Sequence, residues 1–489
     1  MTASDHRRAE RPPPDDELVA IADYVTAELD AGSAVRETAR LDLMDTLACG
    51  LLALEVPSCT RLLGPTVPGA DLPGGARVPG THHELDPVTA AWNIGAMNRW
   101  LDFNDTWLAA EWGHPSDNLA AILAVSDYIA RQPSKAGLAE RTMGAVLTAL
   151  IKAHEIQGVL ALTNSFNRHG LDHVLLVRVA SASVCAWLLG GGRDAVIAAA
   201  SHAWLDGGAL RAYRHAPQTG PRKSWAAGDA AARGVQLALL VMRGEPGYPA
   251  ALSAPIWGFE AVCLGGQRLH RERGYATYVM ANILFKIAYP AEFHAQTAVE
   301  AAIELNRKIP SELDAIESIR IETQEAGARI IDKTGPLSNP ADRDHCLQYM
   351  VAVALIFGRL SPGDYDEAVA EDPRIDRLRD LMTVTENPEF TRAYHDPEHR
   401  AIANAVQVFF RDGTASDRVV VQFPLGHRRR RDEGLPLLQD KFERAVDQCF
   451  PSGQAERIRQ ACANTATLDA MPVSQFMALW QPPADVERA

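Results

Sequence analysis

Apolar residues recur at three- and four-residue spacing along most of the first half of the chain. ELVAIADYV and RETARLDLMDTLACGLLAL, between about residues 16 and 54, carry this period, which marks helices that bury one face. Residues 55–85 are rich in Pro and Gly and predict an irregular connection. Helical spacing resumes in THHELDPVTAAWNIGAMNRWLDF and again in HPSDNLAAILAVSDYIA. Pro115 suits the first turn of that last helix, where its missing N–H costs nothing. TMGAVLTALIKAHEIQGVLA, HVLLVRVASASVCAWLLGG and RDAVIAAASHAWLDGGAL carry the helical pattern on to about residue 245. Alanine is abundant there, so small residues stand where helices approach closely.

The period changes after about Gly274. FHAQTAVEAAIELNRKI predicts a helix, and AIESIRIETQEAG alternates like a strand. NAVQVFFRDG and SDRVVVQFPLG predict two further strands around a Gly-containing turn, packed with helices such as DHCLQYMVAVALIFGRL. From about Leu435 to Trp480 the spacing is helical again. The pattern predicts a mainly α fold: a large all-helical domain with an inserted smaller α+β lid domain. The expected divisions are a disordered lead-in over 1–16, the first part of the helical domain over 17–273, the lid over 274–425 and the returning helical part over 426–489. A cleft between two such domains is a natural ligand site.

At 489 residues, two domains are the natural prior. A formal charge of −14 argues against a nucleic-acid or anionic-membrane partner. No uninterrupted apolar run of about eighteen residues occurs, so no membrane span is expected. The polar, Pro-rich start MTASDHRRAERPPPDDE lacks the apolar core of a signal peptide. Seven widely spaced cysteines without a CxxC pair suit a reducing cytoplasm and offer no compact zinc or iron–sulfur ligand set.

One stretch mixes chemistry with water-excluding rings. RWLDFNDTWLAAEWGHPSD holds Asp102, Asn104, Asp105, Thr106, His114, Ser116 and Asp117 among Trp100, Phe103, Trp107 and Trp112. Asp102 and Thr106 are four apart, a spacing that would put both on one helix face. His114 lies in a turn between Gly113 and Pro115. A second cluster, LRAYRHAPQTGPRKSWAAGD, gathers Arg211, Arg214, His215, Arg222 and Lys223 with no acid before Asp229. In so acidic a chain it reads as an anion pocket, since Arg grips carboxylates in bidentate fashion and Lys adds a point charge. Lys286 stands in the apolar run LFKIAYP, either as an edge residue or as a positioned cation. His169 and His173 are four apart, but Gly170 between them weakens a helical metal pair. Tyr349, near a helix start, is the last candidate; an ordinary core tyrosine would look the same.

RWLDFNDTWLAAEWGHPSD, YRHAPQTGPRKSWAAGDA, LFKIAYPAEFHAQTAVEAA, GPLSNPADRDHCLQYMVA and AYHDPEHRAIANA closely resemble the MmgE/PrpD family, over nearly the whole chain from about residue 15 to 480. The long first and second blocks resemble its dehydratase subgroup rather than its cis-aconitate decarboxylases. The resemblance implies a helical domain with an α+β lid and the site between them. It implies elimination of water from 2-methylcitrate, a tricarboxylate, to give 2-methyl-cis-aconitate in the methylcitrate cycle of propionate degradation, without an iron–sulfur cluster, metal or other cofactor, in a cytoplasmic homodimer. The family's motif residues fall on Asp102, Thr106, His114, Lys223, Lys286 and Tyr349. Its central histidine falls on His173, with His169 as the neighbouring alternative. Asn104 stands where the wider family often has a second aspartate. The implied roles make His114 the principal acid/base oriented by Asp102. Thr106, Asn104 and Ser116 bind substrate beside the cations Lys223, Arg214, Arg222 and Lys286. His173 and Tyr349 stay open as the group that takes the carbon-bound proton.

Overall fold

The computed structural model describes residues 11–132, 138–215, 217–309 and 313–483. Two hydrophobic cores organise them. The first runs from Leu18 through Ile287 and takes up the chain again from Leu438 to Trp480. The second spans Ala291 to Val419. The helical spacing and the late alternating segments thus sort into the two-domain, mainly α architecture that the pattern predicts. Packing assigns residues 274–287 to the helical core.

The helical domain is built on α1 (Ser33–Ala53), α2 (Pro87–Arg99), α3 (Leu119–Arg131), α4 (Met143–Thr163), α5 (Val174–Leu188) and α6 (Arg222–Met242). Asp86 caps α2 by accepting from the amides of Val88 and Thr89, and Pro87 occupies the first turn. α2 and α6 cross at backbone contact: a Cβ added to Gly95 would lie 2.5 Å from Gly228 Cα. Helix α4 is long and apolar enough to cross a membrane, but most of it is buried within the structure. Its Lys152 donates to the carbonyls of Val25 (2.6 Å) and Ala27 (2.7 Å).

The lid packs α7 (Gln296–Lys308) and a later helix against a four-stranded sheet. Strand β3 (Ile316–Thr323) pairs in parallel with β4 (Met382–Glu386), and antiparallel on its other side with β5 (Asn404–Phe410). β5 in turn pairs antiparallel with β6 (Val419–Val421). Strand β4, MTVTE, is not among the predicted strands; it is short and lies at the sheet edge. Helices α8 (Glu325–Ile331) and α9 (Leu347–Phe357) complete the lid, and α10 (Arg431–Cys449) returns to α1.

The expected disordered lead-in lies largely outside the described residues. Its last part is fixed instead: the Asp15 carboxylate accepts from the Leu252 amide at 2.8 Å, and a helix begins at Asp16.

Candidate active site

Two departures from helical geometry shape the Arg99–Asp117 stretch. Helix α2 ends at Arg99, and Asp102 takes the left-handed conformation at φ 50°, which short polar side chains tolerate better than most. The expectation that Asp102 and Thr106 share a helix face is therefore corrected. Thr106 instead forms an extended bridge, with its amide donating to Leu284 O at 2.7 Å and the Leu284 amide donating back at 3.1 Å. A tight hairpin follows, β1 (Trp107–Leu108) against β2 (Trp112–Gly113). Gly113 stands at its end, where a Cβ would crowd Gln157 Nε2 at 3.0 Å and His173 Cδ2 at 3.2 Å. Pro115 then opens a short 3-10 turn that leads into α3.

The bridge to Leu284 decides the site, because it sets Lys286 beside Asp102. Lys286 Nζ donates to the Asp102 carbonyl at 2.9 Å and ion-pairs with its carboxylate. Arg99 Nη1 donates to the same carboxylate oxygen at 2.6 Å. Buried Lys441 locks the junction from behind, donating to Asp45 Oδ1 (2.8 Å), Phe103 O (2.8 Å) and Lys286 O (3.0 Å).

Around this junction lies an enclosed cavity between the two domains. Arg99, Asp102, Thr106, Leu108, Trp112, His114, His173, Arg211 and Arg214 reach it from the helical domain. Lys286 comes from the connection, and Glu292, Phe293, Ile330 and His345 come from the lid. Four fixed cations thus face two carboxylates. The excess positive charge suits a polyanion.

His114 is the best-defined proton-transfer group. Its Nδ1 faces the Asp105 carbonyl at 2.5 Å, and its Nε2 receives Arg99 Nη2 at 2.8 Å. A carbonyl can only accept and a guanidinium can only donate. The proton therefore sits on Nδ1 and the lone pair on Nε2. Burial, then Arg99 and Lys286, hold His114 well below the ordinary histidine range, so the ring is neutral. Asp102 lies 3.9 Å from His114 Nε2, beyond hydrogen-bond reach; Asp105 and Arg99 orient the ring. Burial opposes ionisation of Asp102, but Arg99 and Lys286 outweigh it and keep the carboxyl well below its usual range.

His173 lies beside His114, with ring centroids 5.7 Å apart and the ring planes tilted by 59°. Its Nδ1 is 3.2 Å from Asp172, and burial lowers its pKa despite that carboxylate. His169 is exposed on the preceding turn. Arg214 lines the cavity while ion-pairing with Asp172.

The remaining candidates lie off the cavity wall. Asn104 donates to Ser116 Oγ (2.9 Å) and Asp117 Oδ1 (3.1 Å), and Ser116 Oγ donates to Asp105 (2.6 Å). Both knit the loop that presents His114. Lys223 donates to Asp344 Oδ2 at 2.7 Å and lies 3.1 Å from His345 Nδ1, a link from the helical domain to the lid just behind His345. Tyr349 is in the lid core, donating to Asp364 O at 2.7 Å and stacked on Tyr365. Arg222 lies half exposed over the Trp225 ring at 4.4 Å.

Sequence reasoning passed over Arg99, Glu292, His345 and the buried pair of Asp42 and His154. His294 donates to Glu292 Oε1 at 2.7 Å. His154 Nδ1 faces the Leu150 carbonyl at 2.9 Å, while Nε2 faces Asp105 at 3.1 Å and Asp42 at 3.3 Å. With acceptors at both nitrogens, the ring is an imidazolium. Burial would discharge it, but the two carboxylates raise it to about 10. The only signal for these residues in the sequence is their place within the apolar and family-like segments. The ligand-like groupings among the described residues, Asp42–Asp105–His154 and Asp102–Asp344–His345, contain no cysteine. Their carboxylates already face His154, Lys286 and Lys223.

Models of the MmgE/PrpD N-terminal domain and C-terminal domain match residues 19–272 and 289–467. A 2-methylcitrate dehydratase of Cupriavidus necator is 58% identical over 483 residues, covering 98% of this chain and 99% of that protein. The 2-methylcitrate dehydratase of Escherichia coli K12 is 56% identical over 473 residues, covering 96% and 98%. A mitochondrial 2-methylcitrate dehydratase of Yarrowia lipolytica is 51% identical, covering 96% and 91%.

Proposed function

The chain belongs to the MmgE/PrpD family, and from that premise we propose that it dehydrates 2-methylcitrate to 2-methyl-cis-aconitate as a hydro-lyase. The observation that carries the reading is the His114 arrangement: a neutral ring, its tautomer fixed by the Asp105 carbonyl, with the free lone pair among cations.

The reaction removes a proton next to a carboxylate, so negative charge grows on a group already anionic. Arg99, Arg211, Arg214 and Lys286 are held where that charge develops, in a site walled from water, where fixed charges act most strongly. Arg99 at present donates to His114 Nε2. A substrate carboxylate competing for Arg99 frees that lone pair to take the proton. The departing hydroxyl must be protonated as it leaves; His114, an imidazolium once it has taken the carbon-bound proton, holds that proton for it, and His173, next to His114, is placed to relay it. Asp102 keeps Arg99 and Lys286 placed without quenching the excess of positive charge. From the lid, Glu292 and His345 face the same cavity.

The family resemblance further proposes a cytoplasmic homodimer. The seven cysteines form no disulfide among the described residues, which supports a reducing compartment; light scattering of the purified chain measures its mass.

Incubating the protein with 2-methylcitrate, with citrate and cis-aconitate in parallel, tests the function by absorbance of the conjugated product. Turnover of 2-methylcitrate is expected. Release of carbon dioxide from cis-aconitate without any dehydration would replace this reading with a decarboxylase, and binding without turnover would reduce the protein to a tricarboxylate binder.

A further inference from the structure

Against the cations, the cavity has a second wall of opposite character. Leu108, Trp112, Phe293 and Ile330 are the only apolar side chains among its described lining residues; the others are charged, polar or glycine. The four belong to one small cluster that joins the domains. Leu108 and Trp112 come from the β1–β2 hairpin, Phe293 and Ile330 from the lid. Trp112 is braced by its neighbours. Arg211 and Arg329 place their guanidinium groups 5.5 and 5.4 Å from the Trp112 ring centroid, and His294 meets the ring edge-on at 5.9 Å. Leu108 and Phe293 are buried, while Ile330 is half-buried on α8.

A tricarboxylate with a hydroxyl fills its hydrogen-bonding needs on the cationic side and leaves this wall with nothing polar to offer it. 2-Methylcitrate differs from citrate by one methyl group, and the wall is the one place in the cavity where a methyl is desolvated without stranding a charge. We infer that Leu108, Trp112, Phe293 and Ile330 form the methyl-recognising subsite that makes the enzyme prefer 2-methylcitrate to citrate. This rests on the function proposed above. A single methyl in an apolar pocket gives about 10–200-fold discrimination. Half of the wall belongs to the lid, so the subsite is built where the two domains meet.

Ile330 is the member to change, since it is the least enclosed. Ile330→Ala removes methyl contact, and Ile330→Phe fills the space a methyl would take. The measured quantity is the ratio of kcat/KM for 2-methylcitrate to that for citrate, with melting temperature recorded for each variant. In both variants the ratio is expected to fall about 10-fold or more from the wild-type value. An unchanged ratio, or equal losses on both substrates, would overturn the inference. If the wild type itself fails to dehydrate 2-methylcitrate, the proposed function fails and not merely this subsite. Should either Ile330 variant not fold, Leu108→Val provides the same ratio from the hairpin side.

Discussion

A single methyl group added far from the reacting atoms should disable this protein. Gly228 of α6 faces α2 so closely that a Cβ would lie 2.5 Å from the Trp92 carbonyl oxygen and 2.8 Å from the Ala96 amide nitrogen. An ordinary contact begins at 3.4 Å, so Gly228→Ala is short by 0.9 and 0.6 Å. Both obstructing atoms are backbone, and no rotamer relieves them. The helices must part or distort, at about 1–3 kcal/mol for overpacking. At about 2–4 °C per kcal/mol for a domain of ordinary size, the melting temperature should drop by several degrees. The same displacement reaches the site. Asp102 follows the end of α2, and Lys223 is in the first turn of α6. A shift of about 1 Å in positioning costs about 100-fold in turnover. Thermal unfolding by circular dichroism and kcat/KM on 2-methylcitrate measure the two effects. Gly95→Ala, from the other side of the contact, should behave alike. Gly453→Ala is the control: it lies in a helix with nothing within 4 Å of a new Cβ and should hold or slightly raise stability. Wild-type melting and turnover in Gly228→Ala would refute the argument that this crossing sets the site.

Other expectations are as direct. His114→Ala should lose about 100- to 10,000-fold in turnover, the range for a general acid/base, with the melting temperature kept; since His114 is held below the ordinary histidine range, the acid limb of wild-type kcat/KM should lie below pH 6.5, and a limb above it would count against this base. Arg214→Ala should raise KM strongly, whereas Arg222→Ala, on its aromatic perch outside the cavity, should leave kcat/KM within a few-fold; a larger loss at Arg222 would return it to the site. His154 has a folded-state pKa of about 10, above its unfolded value near 6.5. Its contribution to stability is therefore complete below about pH 6.5 and is lost as pH rises toward 10. Denaturant midpoints for the wild type should fall across that window and fall less for His154→Gln; parallel curves would exclude His154 as a charged anchor.

Local periodicity was enough to read the fold class. Helices such as Asp16–Thr26 and Gln296–Lys308 and strand Ile316–Thr323 announce themselves because side-chain spacing and backbone period are the same fact. Edge strand Met382–Glu386 did not, because one short half-exposed strand has too few buried positions to show a period. The turn at Asp102 and the hairpin after it were also hidden. Asp and Asn compete for backbone hydrogen bonds, but only the bridge to Leu284 fixes where the chain goes.

By itself, then, the sequence determined which elements form, which family the blocks resemble, and that proton-transfer groups and cations occur in separate segments. The tertiary structure alone decided their pairing. It put Lys286 on Asp102 across 184 positions and Lys441 on Phe103 across 338. It placed His114 and His173 in one cavity, and turned Asn104 and Ser116 to bracing the loop, Tyr349 to the lid core and Arg222 toward solvent. The physical reason is that a buried charge is tolerable only with its counter-charge in place, and the counter-charge comes from wherever the folded chain passes, not from the residues beside it.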